Sequence, residues 1–153
     1  MGDGCRALTH VVLGDIEEGE AQAQALLANS LLRSRGFSYQ ALLEAQSMQG
    51  SWDLVAETLE RAIPHQGGSA TLRTAVDRVA GTHWLVLGDR ARATDHLRRS
   101  LATAERHGMG FAAAQARHAL AGAVDGPEAE ELVAAANATF RQLRVALPGR
   151  MTA

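Results

Sequence analysis

The segment from Gly81 to Leu97 reads GTHWLVLGDRARATDHL, and it contains the features that decide the fold. Its first half is rich in apolar residues and stops at Gly88, and a glycine just past a helix end supplies the left-handed backbone conformation that closes the helix. Asp89 follows immediately, and its side chain can accept a hydrogen bond from a free amide at the start of a second helix. The segment therefore predicts two antiparallel helices joined by a tight turn.

The same turn occurs at two earlier places in the chain. Residues 12–15 read VLGD, residues 48–51 read MQGS and residues 86–89 read VLGD, so the three glycines are 36 and 38 residues apart. Apolar residues recur at intervals of three and four in the flanking segments, which places one apolar stripe along each helix. Because a hairpin of this size cannot bury its stripe alone, we expect the repeats to stack on one another.

The composition agrees with a helical protein. Of the 153 residues, 46% are hydrophobic but only 4% are aromatic, and Ala and Leu, which dominate, are strong helix formers. We predict an all-α fold in which residues 1–147 form about four antiparallel hairpins and residues 148–153 form a tail. The predicted hairpins span 4–34, 37–65, 70–107 and 110–146. Their predicted helices are 4–13, 16–34, 37–49, 52–65, 70–87, 90–107, 110–124 and 127–146, and the clearest predicted loop is 65–69.

Net charge and cysteine content limit the cellular compartment and the class of partner that we expect. The net charge of −2 argues against nucleic acid as the main partner of this segment, because phosphate binding needs a clustered basic face. The single cysteine, Cys5, cannot form an internal disulfide, which favours a reducing compartment. No apolar run approaches the roughly 20 residues that cross a bilayer, and the N-terminus lacks the order of a signal peptide. We therefore expect a cytoplasmic protein with no membrane partner.

The third hairpin carries a pattern that resembles the tetratricopeptide repeat family. Gly81 lies one turn before Trp84, the turn Leu87-Gly88-Asp89 follows, and Ala93 and Leu97 lie in the second helix. The resemblance implies a right-handed superhelix (solenoid) of hairpins. It also implies that Gly81 lets neighbouring helices approach, that Trp84 packs between repeats, and that Ala93 lies at the closest helix crossing.

The resemblance covers most of residues 4–146 but is loose outside the third hairpin. Leu43 stands where the second repeat should have a small residue, and Gln46 stands where it should have an aromatic one. No repeat has the family's proline between units, and the repeat is longer than the family's usual one. Divergent repeats of this kind are similar to the C-terminal arms of large bacterial signalling ATPases, including LuxR-type and MalT-like transcriptional regulators and regulators fused to nucleotide cyclases.

In that family the first helix of each pair lines a concave surface that binds a partner. The resemblance therefore implies a mixed groove with an apolar floor, one acid and one fixed cation, which suits a protein or peptide partner. The residues projected onto the groove are Phe37, Gln40, Glu44, Met48, Arg78, Thr82, Val86, Phe111 and His118. The alternative is that neighbouring helices cover these residues and that they form no binding surface.

Three functions remain open at this point. The first is a non-enzymatic protein-interaction or ligand-sensing scaffold, the regulatory arm of a larger bacterial transcriptional or signalling regulator. The second is a freestanding adaptor that forms a homodimer through its apolar first helix, which carries Leu8 and the run from Val11 to Leu13. The third is a helical enzyme or small-molecule-binding protein with a cavity among His83, Trp84, Phe111 and His118.

Candidate chemistry along the chain is sparse, and we predict no catalytic residue, no metal site and no cofactor. His96, His107 and His118 are spaced by eleven residues rather than by one helical turn, so we interpret them as solvated surface histidines. Asp95 and His96 point in different directions on a helix and form no dyad. Arg98, Arg99 and Arg106 make one helix basic, which is typical of a solvated face and, as an alternative, suits an acidic partner.

Overall fold

Eight α-helices and one 3₁₀ helix make up residues 3–29 and 35–143, the part of the chain that the computed structural model describes. These residues contain no β-strand, so the all-α prediction is confirmed for them. The α-helices are α1 (Asp3–Leu13), α2 (Ile16–Asn29), α3 (Arg35–Gln49), α4 (Trp52–Ala62), α5 (Ala70–Val86), α6 (Arg90–Arg106), α7 (Gly110–Ala121) and α8 (Pro127–Gln142). The predicted continuation of the second helix to 34 and of the last helix to 146 lies outside the described residues.

The largest difference from the predicted helices is at the end of α4. We predicted a helix to residue 65 followed by a loop, whereas α4 ends at Ala62 and Ile63–Gly68 forms the 3₁₀ helix. Pro64 lies at the start of that helix. Proline has no amide to donate, so the α-helical hydrogen bond from residue 64 to the carbonyl of Glu60 cannot form and the α-helix ends here, although Ile63 keeps α-region angles (φ −50°, ψ −48°).

Each predicted turn is closed by a glycine with positive φ. The φ angles are 96° at Gly14, 72° at Gly50 and 82° at Gly88, and a side chain at any of the three would strain the backbone. The amide of the residue after each glycine donates to the carbonyl five residues earlier, at 2.9 Å in all three turns. A fourth turn, at Gly108, has the same positive φ and the same hydrogen bond. One backbone motif therefore ends α1, α3, α5 and α6.

The chain contains two compact units, residues 1–76 and residues 77–153. The core of the first unit is formed by small and medium apolar residues, namely Ala7, Val11, Ala23, Ala41, Leu42 and Ala45. Gly19 lets α2 approach α1 closely, because a Cβ atom added there would lie 2.9 Å from the Ala7 carbonyl oxygen. Leu8 packs against this core, whereas Leu13 is 75% exposed. The apolar first helix is therefore largely covered by its own unit.

Gln46, which departs from the expected aromatic residue, is buried and hydrogen-bonded. Thr58 Oγ1 donates to Gln46 Oε1 at 2.8 Å, and both side chains are 4% exposed. The bond joins α3 to α4, so a polar contact occupies a position where the resemblance predicted a ring.

The second unit is organised around the closest approach of α5 and α6. A Cβ atom added at Gly81 would lie 2.5 Å from Leu97 Cγ and 3.1 Å from the Ala93 carbonyl oxygen. Ala93 and Leu97 are fully buried and share a cluster with Leu120. Trp84 packs against the same cluster and carries the Arg92 guanidinium 4.6 Å from its ring centroid. The close crossing expected at Gly81 and Ala93 is therefore present.

Within the described residues no helix combines the length and the apolar character that crossing a membrane requires.

The methyl group added by Gly81→Ala must displace Leu97 from a packed site, which costs about 1–3 kcal/mol. Replacing a helical glycine gains up to about 1 kcal/mol, so we expect a net destabilisation of about 0–2 kcal/mol, and comparison with a helical glycine that has free space isolates the packing cost. Gly110→Ala is the matched control, because Gly110 is helical and has nothing within 4 Å of an added Cβ. Urea unfolding followed by circular dichroism measures both. A Gly81→Ala protein as stable as the control would contradict the close crossing.

Thr58→Val should lower the free energy of unfolding by about 1–3 kcal/mol, because it leaves the buried Gln46 oxygen without this donor. Thr58→Ser keeps a hydroxyl and is expected to lose less. Replacing both partners, as Thr58→Val with Gln46→Leu, should recover most of the stability, since no polar atom of the pair is then left buried. Additive losses in the double variant would show that the two side chains are not coupled.

Candidate binding cleft

Helices α5, α7 and α8 of the second unit surround an open cleft of about 730 Å³. This volume lies within the range of about 300–1,000 Å³ that is usual for ligand-binding pockets. The walls are built mainly from small residues: α7 contributes Ala119 and Ala121, and α8 contributes Ala129 and Ala134. Because these side chains end at Cβ, they leave space between the helices that larger apolar residues would fill.

The ends of α5 and α7 meet at one side of the cleft. A Cβ atom added at Gly122 would lie 3.8 Å from Leu85 Cδ1, so the last turn of α5 is in contact range of the residue that follows α7. Leu85 and Val133 supply the larger apolar surfaces of the cleft, and Val133 remains 36% exposed. An exposed branched side chain in a concave wall is a suitable anchor point for an apolar group of a partner.

Polar groups occupy defined positions around this apolar floor. Arg78 and Thr82 come from α5, Gln115 and His118 from α7, and Glu130 from α8, which also contributes Asn137. Thr82 Oγ1 donates to the Arg78 carbonyl oxygen at 3.1 Å, so its hydroxyl proton is used within the helix. The cleft thus combines a fixed cation, an acid, an imidazole and two amides.

Three of the residues projected onto the groove come together here. Arg78, Thr82 and His118 all line the cleft, although forty residues of sequence separate Arg78 from His118. Val86 and Phe111, projected with them, do not line it. The Phe111 ring packs edge-on against Phe140 at 5.8 Å between centroids, so its role in the second unit is packing.

The other four projected residues belong to the first unit. Phe37 is 40% exposed and Gln40 is half-buried. Glu44 is only 7% exposed, and Met48 packs against the core of that unit. Glu44 and Met48 therefore offer little surface to a partner, because α3 turns this face towards its neighbouring helices.

Sequence reasoning missed the contribution of α8. Periodicity predicts one apolar stripe along each helix, whereas the structure divides the stripe of α8 in two. Ala136 and Phe140 enter the core, and Ala129 and Val133 face the cleft with Glu130 beside them. The sequence contained one signal of this division, because the apolar stripe of α8 is wider than a single helix contact can cover.

Of the residues proposed for an enclosed cavity, only His118 lines this cleft, and His83 and Trp84 do not.

The interpretation of His96 as a solvated residue is wrong. Its Nδ1 atom lies 2.9 Å from Asp77 Oδ1, and the Arg99 Nη2 atom lies 3.0 Å from the same oxygen. The Asp77 side chain is only 13% exposed. Sequence reasoning tested His96 against its neighbour Asp95, but its partner lies 19 residues away on the adjacent helix. The packing of α6 against α5 brings His96 and Asp77 together, and the sequence pattern does not predict how these helices are rotated.

The basic face of α6 is also partly neutralised within the protein. Arg98 pairs with Glu128 at 3.1 Å and Arg90 pairs with Asp125 at 2.9 Å, both in exposed positions. Exposed pairs contribute about 0–1 kcal/mol each, but they leave less net positive charge for an acidic partner. In residues 3–29 and 35–143, no three His, Cys, Asp or Glu side chains come together as a metal-binding group.

Asp77→Ala should destabilise the protein more than Arg99→Ala, because Asp77 Oδ1 accepts from Arg99 Nη2 and also lies within hydrogen-bond distance of His96 Nδ1. We expect the double variant to lose less than the sum of the two, with a coupling energy of about 0.5–1 kcal/mol for this partly exposed pair. Arg106→Ala, on the same helix, is the control and should change stability by less than about 0.5 kcal/mol. Chemical denaturation of the four proteins provides the cycle, and strict additivity would contradict the contact.

Comparison with protein-family models, with curated proteins and with solved structures finds no match to this chain.

Proposed function

We propose that this protein is a non-enzymatic interaction or ligand-sensing scaffold and that the cleft between α5, α7 and α8 binds a peptide segment of a partner protein. The observation that carries the proposal is the cleft itself, where small apolar walls are combined with the separate polar groups Arg78, His118 and Glu130. Apolar walls supply binding energy through burial, and isolated polar groups fix the register of the bound segment.

The wider proposal is that the hairpins stack as a tetratricopeptide-like right-handed superhelix. The support is local: one turn motif ends four helices, and Gly81 and Ala93 form a close crossing. In such a scaffold a partner bound against α5 and α7 touches two consecutive hairpins at once. We propose that the chain is the cytoplasmic regulatory arm of a larger bacterial transcriptional or signalling regulator, in which binding changes the spacing of hairpins and is relayed to an effector.

A homodimeric adaptor is the second candidate, and one observation favours it. Val12 is 39% exposed and Leu13 is 75% exposed at the end of α1, so an apolar edge is available there. Leu13→Asp tests this function without disturbing the core, unlike a substitution of the packed Leu8. A dimer in light scattering that Leu13→Asp dissociates would support the adaptor.

Selection from a random displayed peptide library tests the cleft. Ala134→Trp places a large ring in the cleft from an exposed position on α8, and Ala135→Trp places the same ring on the neighbouring exposed residue outside it. We expect peptides selected on the unmodified protein to bind at least about tenfold more weakly to Ala134→Trp, a loss of about 1.4 kcal/mol, and to keep their affinity for Ala135→Trp.

Two results would overturn the cleft as the binding site. One is a library that yields no enriched peptide on the unmodified protein. The other is a set of peptides whose affinity is equal for both tryptophan variants. Circular dichroism and the melting temperature of each variant establish that the fold is intact before the affinities are compared.

A further inference from the structure

The walls of the cleft are helix faces of similar length. On α7 the residues that line it include Gln115, His118 and Gly122, which are three and four positions apart, and on α8 similar intervals run from Glu130 to Asn137. The lining residues of each helix span seven or eight positions, which is about 10–12 Å or two turns. Rows of side chains at these intervals form the ridges and grooves into which another α-helix packs.

The cross-section of the cleft also favours a helix over an extended chain. A volume of about 730 Å³ over a length of about 10–12 Å gives an area of about 60–70 Å². An extended chain occupies about 50 Å², since strands lie about 4.8 Å apart and sheets about 10 Å apart, so it would leave part of the cleft unfilled. A helix with its side chains is about 10–12 Å wide and covers about 80–110 Å². The open cleft can therefore hold most of a helix and leave its outer side in solvent.

The first unit shows how this chain covers alanines on a helix hairpin. There α3 packs against both α1 and α2, and Leu42 of α3 shares a cluster with Ala7 and Ala23, one alanine from each helix of the hairpin. In the second unit the hairpin of α7 and α8 presents Ala119 and Ala134 to the cleft, where the first is half-buried and the second is exposed. A helix with leucine-sized side chains would cover these alanines as α3 covers the first hairpin.

The charge that the cleft offers to a partner is acidic. Glu130 is exposed and lines the cleft, and among the described residues its carboxylate has no hydrogen-bond or ion-pair partner. Arg78, in contrast, already takes part in an interaction within the chain. Glu131 follows Glu130 on α8 and is also exposed, so a second negative charge lies beside the cleft. A partner with basic side chains is therefore favoured over an acidic one.

We infer that the cleft binds an amphipathic α-helix of a partner protein, with leucine-sized residues along one face and basic residues beside them. The inference rests on the proposed peptide-binding function and defines the conformation and the charge of the partner. Side chains three, four and seven positions apart lie on the same face of a helix, so all of the contacting residues reach the cleft together. The apolar face covers the alanine walls, and a basic side chain pairs with Glu130.

Four capped, fluorescein-labelled peptides of fourteen residues test the helical pattern and the charge. KLAAKLAKLAAKLK has leucines at helical spacing, and KLKLALALAAKKAK has the same composition with leucines at every second position. KLAAKLPKLAAKLK replaces the central alanine with proline, which breaks a helix. ELAAELAELAAELE keeps the spacing and reverses the charge. Fluorescence anisotropy measures the four affinities.

We expect the first peptide to bind at least about tenfold more tightly than its isomer and than the proline peptide, since all three carry the same charge and differ in the helical face. The glutamate peptide should bind at least about threefold more weakly than the first, because it places a like charge beside Glu130. Equal affinity of the first peptide, the isomer and the proline peptide would overturn the inference.

Glu130→Arg is the decisive variant, and Glu131→Arg is its matched control. Both residues are exposed on α8, but only Glu130 lines the cleft, so the variants have equal net charge and differ in position. Glu130→Arg should weaken KLAAKLAKLAAKLK about three- to tenfold and strengthen the glutamate peptide, whereas Glu131→Arg should change either affinity by less than about twofold. Equal effects of the two variants would contradict the pairing with Glu130.

The outcome is distinguishable from failure of the proposed function. Library peptides that Ala134→Trp blocks, but that tolerate a central proline and ignore Glu130→Arg, would keep the peptide-binding function and overturn this inference. A dimer in light scattering that Ala134→Trp dissociates would assign the cleft to a second copy of the chain and would also overturn it. If neither the library nor the designed peptides bind in the cleft, both proposals are overturned.

Discussion

The left-handed glycine turn is the constraint on which the described structure depends. At Gly14, Gly50, Gly88 and Gly108 the backbone takes a positive φ that other residues adopt only at a cost, and the next amide closes the preceding helix. Each turn reverses the chain within a few residues, so successive helices are antiparallel neighbours. Without this reversal, the short apolar stripes of the individual helices would find no surface to cover them.

Small side chains determine both what packs and what stays open. Gly81 and Ala93 let α5 and α6 approach until Leu97 fills the remaining space. Elsewhere on α5, alanines of α7 and α8 leave space that none of the described side chains fills, and this becomes the cleft. Small residues therefore give close packing at Gly81 and Ala93, where Leu97 fills the space beside them. They give a concave surface on α7 and α8, where no described leucine fills the space.

The sequence predicted local features well and long-range contacts poorly. The turn glycines, the crossing at Gly81 and the cleft residues Arg78, Thr82 and His118 follow from spacing along one or two helices, so a repeat pattern contains them. The pairing of His96 with Asp77 depends on how α6 rotates against α5, and the wall of α8 depends on which part of a broad stripe is covered. Periodicity sets the direction of an apolar stripe but not its width, so these features depend on the three-dimensional packing of the helices.

The attachment of α8 differs between its two ends. Near its start, exposed charged contacts tie the helix and its preceding turn to α6, namely Arg98 to Glu128 and Arg90 to Asp125. Towards its other end, Phe140 is 4% exposed and packs against the Phe111 ring. Ion pairs in water yield to salt and to competing charges, whereas a buried aromatic contact does not. The start of α8 also has an apolar contact, because Leu132 packs against the cluster of Ala93 and Leu97. Added salt therefore weakens one part of the attachment near Glu128 and leaves the buried contact of Phe140 unchanged.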